Sequence, residues 1–293
     1  MKDNNRIYLV LPPNIIRRAR EDMRKRFPQA VLDAPEIHAE MFSFASNFGK
    51  EKLPALTVSA YPQILLRARL LAKEGRLGEP EQSLPELRTE LVAMGLTPPL
   101  AAMRLVAVVP GVLAAANALE HPLADWADLC APNFPTHIGC PPQDTPLPYL
   151  VSRVMRHLFG NASNTLIDTL DTKSNPIDIN KRIASNVLKA AFIIPAFART
   201  FRGGTGRMIW PESGALAVPL LACLSPDAAP VAHDILRYLL SEEFQRVLAE
   251  GGLMAPARPE IPGFEELEQN AWKLYWPGWN IYLDAAQDML DRP

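Results

Sequence analysis

Short unbroken apolar runs alternate along this chain with longer stretches in which apolar residues recur every three or four positions, the signatures of buried strands and one-sided helices. The run Arg6 to Leu11 stops at Pro12-Pro13, and Asn14 stands where a helix cap belongs. Behind it Ile15, Ile16, Ala19, Met23 and Phe27 share one face while Arg24-Lys25-Arg26 faces water. A second strand-then-helix unit follows, with Leu53 to Ser59 as a buried strand, Ala60-Tyr61-Pro62 as a turn, and a helix over Gln63 to Lys73 closed by Gly75. Ser83-Leu84-Pro85-Glu86 has capping-box spacing, which predicts a helix from there to Gly95.

Arg104 to Val109 reads as a fully buried strand, and Pro110 to Ala116 as a connection toward Pro122 and a short helix over Leu123 to Leu129; a first hinge is placed in this connection. Thr136 to Cys140 predicts another strand. Pro141 to Thr145 is then a loop, with Thr145 capping a helix that has Pro146 in its first turn and runs through Phe159. Asn161 to Leu170 and Ile177 to Leu188 predict helices, Ala191 to Ile194 a strand stopped by Pro195, and Met208 to Trp210 leads the chain back. Past a last apolar strand come two amphipathic segments, Ala232 to Leu240 and Ser241 to Glu250. This alternation predicts α/β lobes with mainly parallel sheets.

The length of 293 residues favours two lobes with separate cores over one. A net charge of −2, with 48% hydrophobic and 21% charged residues, gives no electrostatic bias toward nucleic acid or an anionic membrane. The partners implied are small solutes or other proteins, and a monomer is expected. Cys130, Cys140 and Cys223 are too few and scattered for a disulfide framework, which favours a reducing compartment. The opening residues run into the first strand without the apolar core of an export signal, so the sequence as it stands reads as cytoplasmic, or as periplasmic if it is a processed mature form.

The block Trp210-Pro211-Glu212-Ser213-Gly214-Ala215-Leu216-Ala217-Val218-Pro219 carries the most specific signal. With Leu239-Leu240-Ser241-Glu242-Glu243-Phe244-Gln245 and Gly251-Gly252-Leu253-Met254-Ala255-Pro256, it resembles the type II solute-binding proteins of ABC transporters, in the iron(III), thiamine and sulfate branch. Pro122 to Leu129 and Ile138 to Pro142 also resemble that pattern, whereas residues 35 to 52 match nothing in it. The resemblance implies two α/β lobes, residues 1–113 with 209–293 and residues 114–208, joined by two hinge crossovers. It also implies binding without catalysis, no cofactor, and an ABC permease as partner.

The candidate ligand contacts are Asn14, Ser59, Tyr61, Gln143, Asp144, Thr145, Phe197, Glu212 and Ser213. Gln143 to Thr145 precede a helix start, where free N–H groups favour a polar or anionic ligand. Ser59 and Tyr61 offer two hydroxyls at a strand end, against simple turn chemistry. Glu212 and Ser213 lie at the return crossover, where hinge shaping is the bland alternative. Iron-binding relatives carry adjacent tyrosines after the strand that here ends at Ile194. This chain has Pro195-Ala196-Phe197-Ala198-Arg199 instead, which favours an apolar or aromatic pocket with Arg199 or Arg202 as an anion's donor. The rival reading is an intracellular enzyme or metal-binding protein using His137 and Cys140, with Cys130 upstream. Arg202 to Arg207 resembles a phosphate loop only superficially, having no P-loop lysine. Trp272, Tyr275, Trp276, Trp279 and Tyr282 read as a packing clasp for a C-terminal helix.

Overall fold

A computed structural model describes residues 4–79, 84–201 and 205–291. Strand β1 (Arg6–Leu9) feeds α1 (Pro13–Arg26) across Pro12. Proline suits the first helical position because that N–H has no intrahelical partner. Asn14 therefore lies inside the first turn and caps nothing; its amide donates to the Gly251 carbonyl. β2 (Val31–Asp33) and α2 (His38–Asn47) fill the stretch that the sequence pattern leaves blank, and α2 buries only Met41 and Ala45, too few to show a period. β3 (Leu56–Ser59) and α3 (Pro62–Lys73) form the second expected unit, ended by Gly75 at φ 66°.

The helix expected from 83 to 95 shrinks to α4 (Thr89–Ala93), and Ser83 lies outside the described residues. Arg88 accounts for the shortening. Its side chain turns inward, donates to the carbonyls of Arg258 (2.9 Å), Pro259 (3.0 Å) and Ile261, and lies 3.9 Å above the Trp272 ring.

β4 (Met103–Ala116) is one strand of 14 residues, not a strand and a connection. After a 3₁₀ turn at Trp126–Cys130 come β5 (Ile138–Gly139), α5 (Leu147–Phe159), α6 (Asn164–Thr169) and α7 (Pro176–Ala184), the last capped by Asn175. Thr145 does not cap α5. Its hydroxyl donates back to the Pro142 carbonyl at 2.6 Å, and Pro146 holds the cap position. β6 (Ala190–Ile193), α8 (Pro195–Ala198) and β7 (Gly206–Ile209) complete this half of the chain. β8 (Ala215–Leu224) returns to the first half, followed by α9 (Pro230–Leu239) and α10 (Glu242–Arg246), whose cap is Ser241. A wide helical turn, Val247–Gly251, then β9 (Ala255–Pro256), α11 (Glu265–Gln269), β10 (Leu274–Tyr275) and α12 (Trp279–Leu290) end the described chain.

The first sheet has the order β2-β1-β3-β8-β4, and β5 and β6 continue from the far end of β4. β2, β1 and β3 are parallel, as are β5 and β6, while β4 and β8 run antiparallel to each other and to β6 and β3; the short β10 pairs in parallel with β8. The sheets are thus mixed because two long strands cross between the halves. Along β4, Met103 to Gly111 pairs with β8 and Val112 to Ala116 with β6 and β7. Pro110 lies just before the change of partner, opposite Ala217 of β8. α1 and α9 cover one face of the first sheet, burying Ile16, Met23, Ile235 and Leu239; α3 covers the other with Ile64, Leu65 and Ala68. α12 packs against both α3 and α5 and so touches both lobes.

Candidate functional site: a cleft between two sheets

The C-terminal ends of β1 and β3 face the start of α5 and the end of β6 across a cavity of about 170 Å³. Leu11, Met41 and Tyr61 wall it from the first lobe, and Leu147, Ile194 and Phe197 from the second. Val109 of β4 and Val218 and Leu220 of β8 form the back. The cavity lies where β4 and β8 pass from one half of the chain to the other. At Gly111 the packing is close: a Cβ there would lie 3.3 Å from Leu216 Cβ and 3.4 Å from Leu147 Cδ1.

The turn after β3 is rigidly built. Ser59 is buried, and its Oγ accepts from the Tyr61 N–H at 3.1 Å; the Tyr282 hydroxyl donates to the Ala60 carbonyl at 3.1 Å. Tyr282 belongs to the aromatic clasp, in which Trp276 and Trp279 pack edge to face and Trp279 Nε1 donates to the carbonyls of Gly95 and Thr97. Held this way, Tyr61 reaches across the cleft and its hydroxyl donates to the Asp144 carbonyl at 2.9 Å. Burial pushes the Tyr61 phenol well above its ordinary range, and the Asp144 charge and Tyr8 add to this, so Tyr61 stays a neutral donor.

His38 lines the same cavity. Burial lowers its pKa below the ordinary histidine value, opposed by attraction from Asp144. His38 Nδ1 and Asp144 Oδ1 are both shielded from solvent and have no hydrogen-bond partner within the protein.

The residues singled out in the sequence divide by position. Tyr61, Thr145 and Phe197 line the cavity, and Asp144 bonds to one of its walls. Ser59 shapes the turn from beneath, and Gln143 is exposed. Asn14 ties α1 to Gly251. Glu212 and Ser213 brace the return crossover: the Glu212 N–H donates to the Ala124 carbonyl at 3.0 Å, and the Ser213 hydroxyl to Asp125 Oδ1 at 2.5 Å. Arg199 is taken up by Glu266, its Nε 2.7 Å from Oε1, and Arg202 lies outside the described residues with Gly203 and Gly204. His137 and Cys140 build no joint site. His137 is exposed, Cys140 is fully buried at the other end of β5, and burial pushes its thiol well up. His38, Met41 and Leu147 were missed. Only tertiary contact brings the first two, in an unpatterned stretch, to the cleft, and an apolar residue in a first helical turn looks like any core residue.

The family model described as bacterial extracellular solute-binding protein matches residues 79–284. The chain belongs to that family. Its fold is similar to that of apo ferric ion-binding protein A from Pasteurella haemolytica, with a TM-score of 0.72 at 11% identity over 98% of this chain and 96% of that one. It is also similar to the ferric binding protein from Campylobacter jejuni, with a TM-score of 0.74 at 12% identity, covering 97% and 96%. A Trichodesmium protein solved in complex with iron and citrate gives a TM-score of 0.67 at 14% identity, covering 97% and 96%. No curated protein sequence matches the chain. The solute-binding family member is therefore a two-lobed α/β protein of the type II kind. Among the described residues, no helix is long and apolar enough to cross a membrane.

Proposed function

We propose that this solute-binding protein captures its solute in the cavity between lobe 1 (residues 1–113 and 209–293) and lobe 2 (residues 114–208), and hands it to an ABC permease without chemistry of its own. The observation that carries the reading is one cavity walled by strand ends from both halves of the chain, with Tyr61 bonding across it to Asp144. A solute that contacts both walls stabilises the closed arrangement, and its differential affinity for that state sets the shift in population. The contacts proposed are Tyr61, Asp144, Thr145 and Phe197. The extracellular description of the family supports a periplasmic location.

The neighbours named for ferric ion do not carry their ligand over to this chain. Phe197, which has no oxygen to give, occupies the segment after β6 where a phenolate would be needed. Native mass spectrometry of freshly purified protein is expected to reveal a retained small molecule. Re-adding that molecule at about 100 times its Kd should stabilise the fold by about 2.7 kcal/mol in a thermal shift, and Phe197→Glu should abolish the effect. Protein that carries no extra mass and responds to no member of a broad solute library would sink the reading.

A further inference from the structure

We infer that the solute is an uncharged, predominantly apolar molecule about the size of one substituted ring. This rests on the cleft being the solute site, as proposed above, and adds the chemical class.

Size and wall chemistry set the body. A cavity of about 150 Å³ lined by leucine, isoleucine and phenylalanine accepts benzene. This one, of about 170 Å³, is walled by the same kinds of side chain together with valine and methionine, and nearly all of its accessible wall is apolar. Water finds few partners there, so an apolar solute that displaces it gains the free energy of burying its own surface and that of the wall. Met41 and Met254 let the wall follow the outline of what enters, because an unbranched thioether side chain has several low-energy shapes.

The polar groups of the wall leave a charge nothing to meet. Among the described residues, its titratable side chains are Glu36, His38 and Tyr61. Glu36 is paired with Arg17 at 3.2 Å and Arg20 at 3.3 Å. Burial favours the neutral His38 ring, and its Nδ1 is closed to the cavity as it is to solvent. Tyr61 and Thr145 donate their hydroxyl protons to the Asp144 and Pro142 carbonyls, at 2.9 and 2.6 Å. Asp144 does not line the cavity and takes part through that carbonyl. Backbone donors are scarce around the same space: Pro12, Pro13, Pro35, Pro141, Pro146 and Pro176 all line it, and a proline has no N–H. The starts of α1, α5 and α7 meet the wall through these prolines, and the N–H groups of Ile15 and Ile16 in α1 are taken by the Pro12 carbonyl. Such helix starts offer an anion fewer donors than usual. A metal ion, a carboxylate or an ammonium would thus be buried without a partner, at a cost that an uncharged molecule avoids.

Three probes built on one ring and differing in charge test the inference: toluene, benzylamine and benzoate, titrated calorimetrically into the full chain near neutral pH. Toluene is expected to bind at least about a hundredfold more tightly than either charged probe, with a negative change in heat capacity. Phe197→Leu keeps the wall apolar and should hold the toluene affinity within about fivefold, whereas Phe197→Glu should abolish it. Unchanged melting temperatures of the free variants confirm that the scaffold is intact. Benzoate or benzylamine binding as tightly as toluene overturns the class; if that binding responds to Phe197→Glu, the cleft stands as the solute site and only the class is wrong. Toluene bound equally well by the Phe197→Glu variant places its site outside the cleft and overturns the inference. Silence from all three probes also overturns the class, and the retained-mass measurement then judges the cleft independently.

Discussion

His38 shows how one side chain's surroundings set a property of the fold. Its proton is held less firmly in the folded chain than in the unfolded one, because burial disfavours the imidazolium more than Asp144 favours it. Below the unfolded pKa of about 6.5, the unfolded state binds more protons, so stability falls as the pH drops from there toward the lower folded value, and is unaffected by this residue at higher pH. Urea denaturation at a series of pH values is expected to show that slope, and His38→Gln should flatten it; an equal slope in the variant refutes the assignment. At this scale the sequence was partly legible. Tyr61 and Phe197 could be picked out as an aromatic at a strand end and an aromatic where relatives carry phenolates. His38 could not, since an isolated histidine in an unpatterned stretch gives no sign of which carboxylate it will face. Ser59 and Ser213 were chosen for hydroxyl chemistry that turn and hinge bonds absorb, whereas Glu212 stands exposed with its N–H bonded to the Ala124 carbonyl.

Among the elements, β4 departs most from its pattern, and Gln245 of α10 holds it in place. Between Leu105 and Ala107 the pairing of β4 with β8 slips by one residue, leaving the Val106 carbonyl outside the ladder. Gln245, fully buried, donates from Nε2 to that carbonyl at 2.9 Å and to the Leu239 carbonyl at 2.8 Å, while its Oε1 accepts from the Ala257 N–H at 2.8 Å. Gln245→Leu strands three backbone groups. We expect a loss of about 2 to 4 kcal/mol, read as a lower urea midpoint with an unchanged slope; a loss below about 0.5 kcal/mol would show that the groups find other partners. The glutamine was visible in the sequence as part of a motif, but its partners were not. The start of α5 was legible because Pro146 marks a first helical turn by its own chemistry, whereas Pro195 was read only as the stop of a strand although α8 begins there. The ends of β4 were not, because Pro110 breaks a strand only if its N–H is needed there, and that depends on where the neighbouring strand stops.

For the whole molecule the question is what holds the two lobes together. Besides the bonds at the return crossover, such as Ser213 to Asp125, the ties between them include Tyr61 to Asp144, Arg199 to Glu266, and Arg153 to Asp288 of α12. The arginine pairs are partly exposed, so each contributes only about 0.2 to 1 kcal/mol to stability, yet both bear on the relative position of the lobes. Arg153→Ala combined with Arg199→Ala should raise the radius of gyration of the free protein in small-angle scattering, and saturating solute should lower it again. A radius that the double substitution leaves unchanged would show that the packing of α12 on α3 and α5 suffices. Apolar periodicity, proline placement and the block from Trp210 to Pro219 were enough to determine a two-lobed α/β solute binder, because each rests on contacts a few residues apart or on a motif kept within one segment. The tertiary structure alone decided the antiparallel crossing strands, the apolar lining of the cleft, and the meeting of His38 with Asp144. Those depend on residues more than a hundred positions apart, and no local pattern encodes which of them will share a wall.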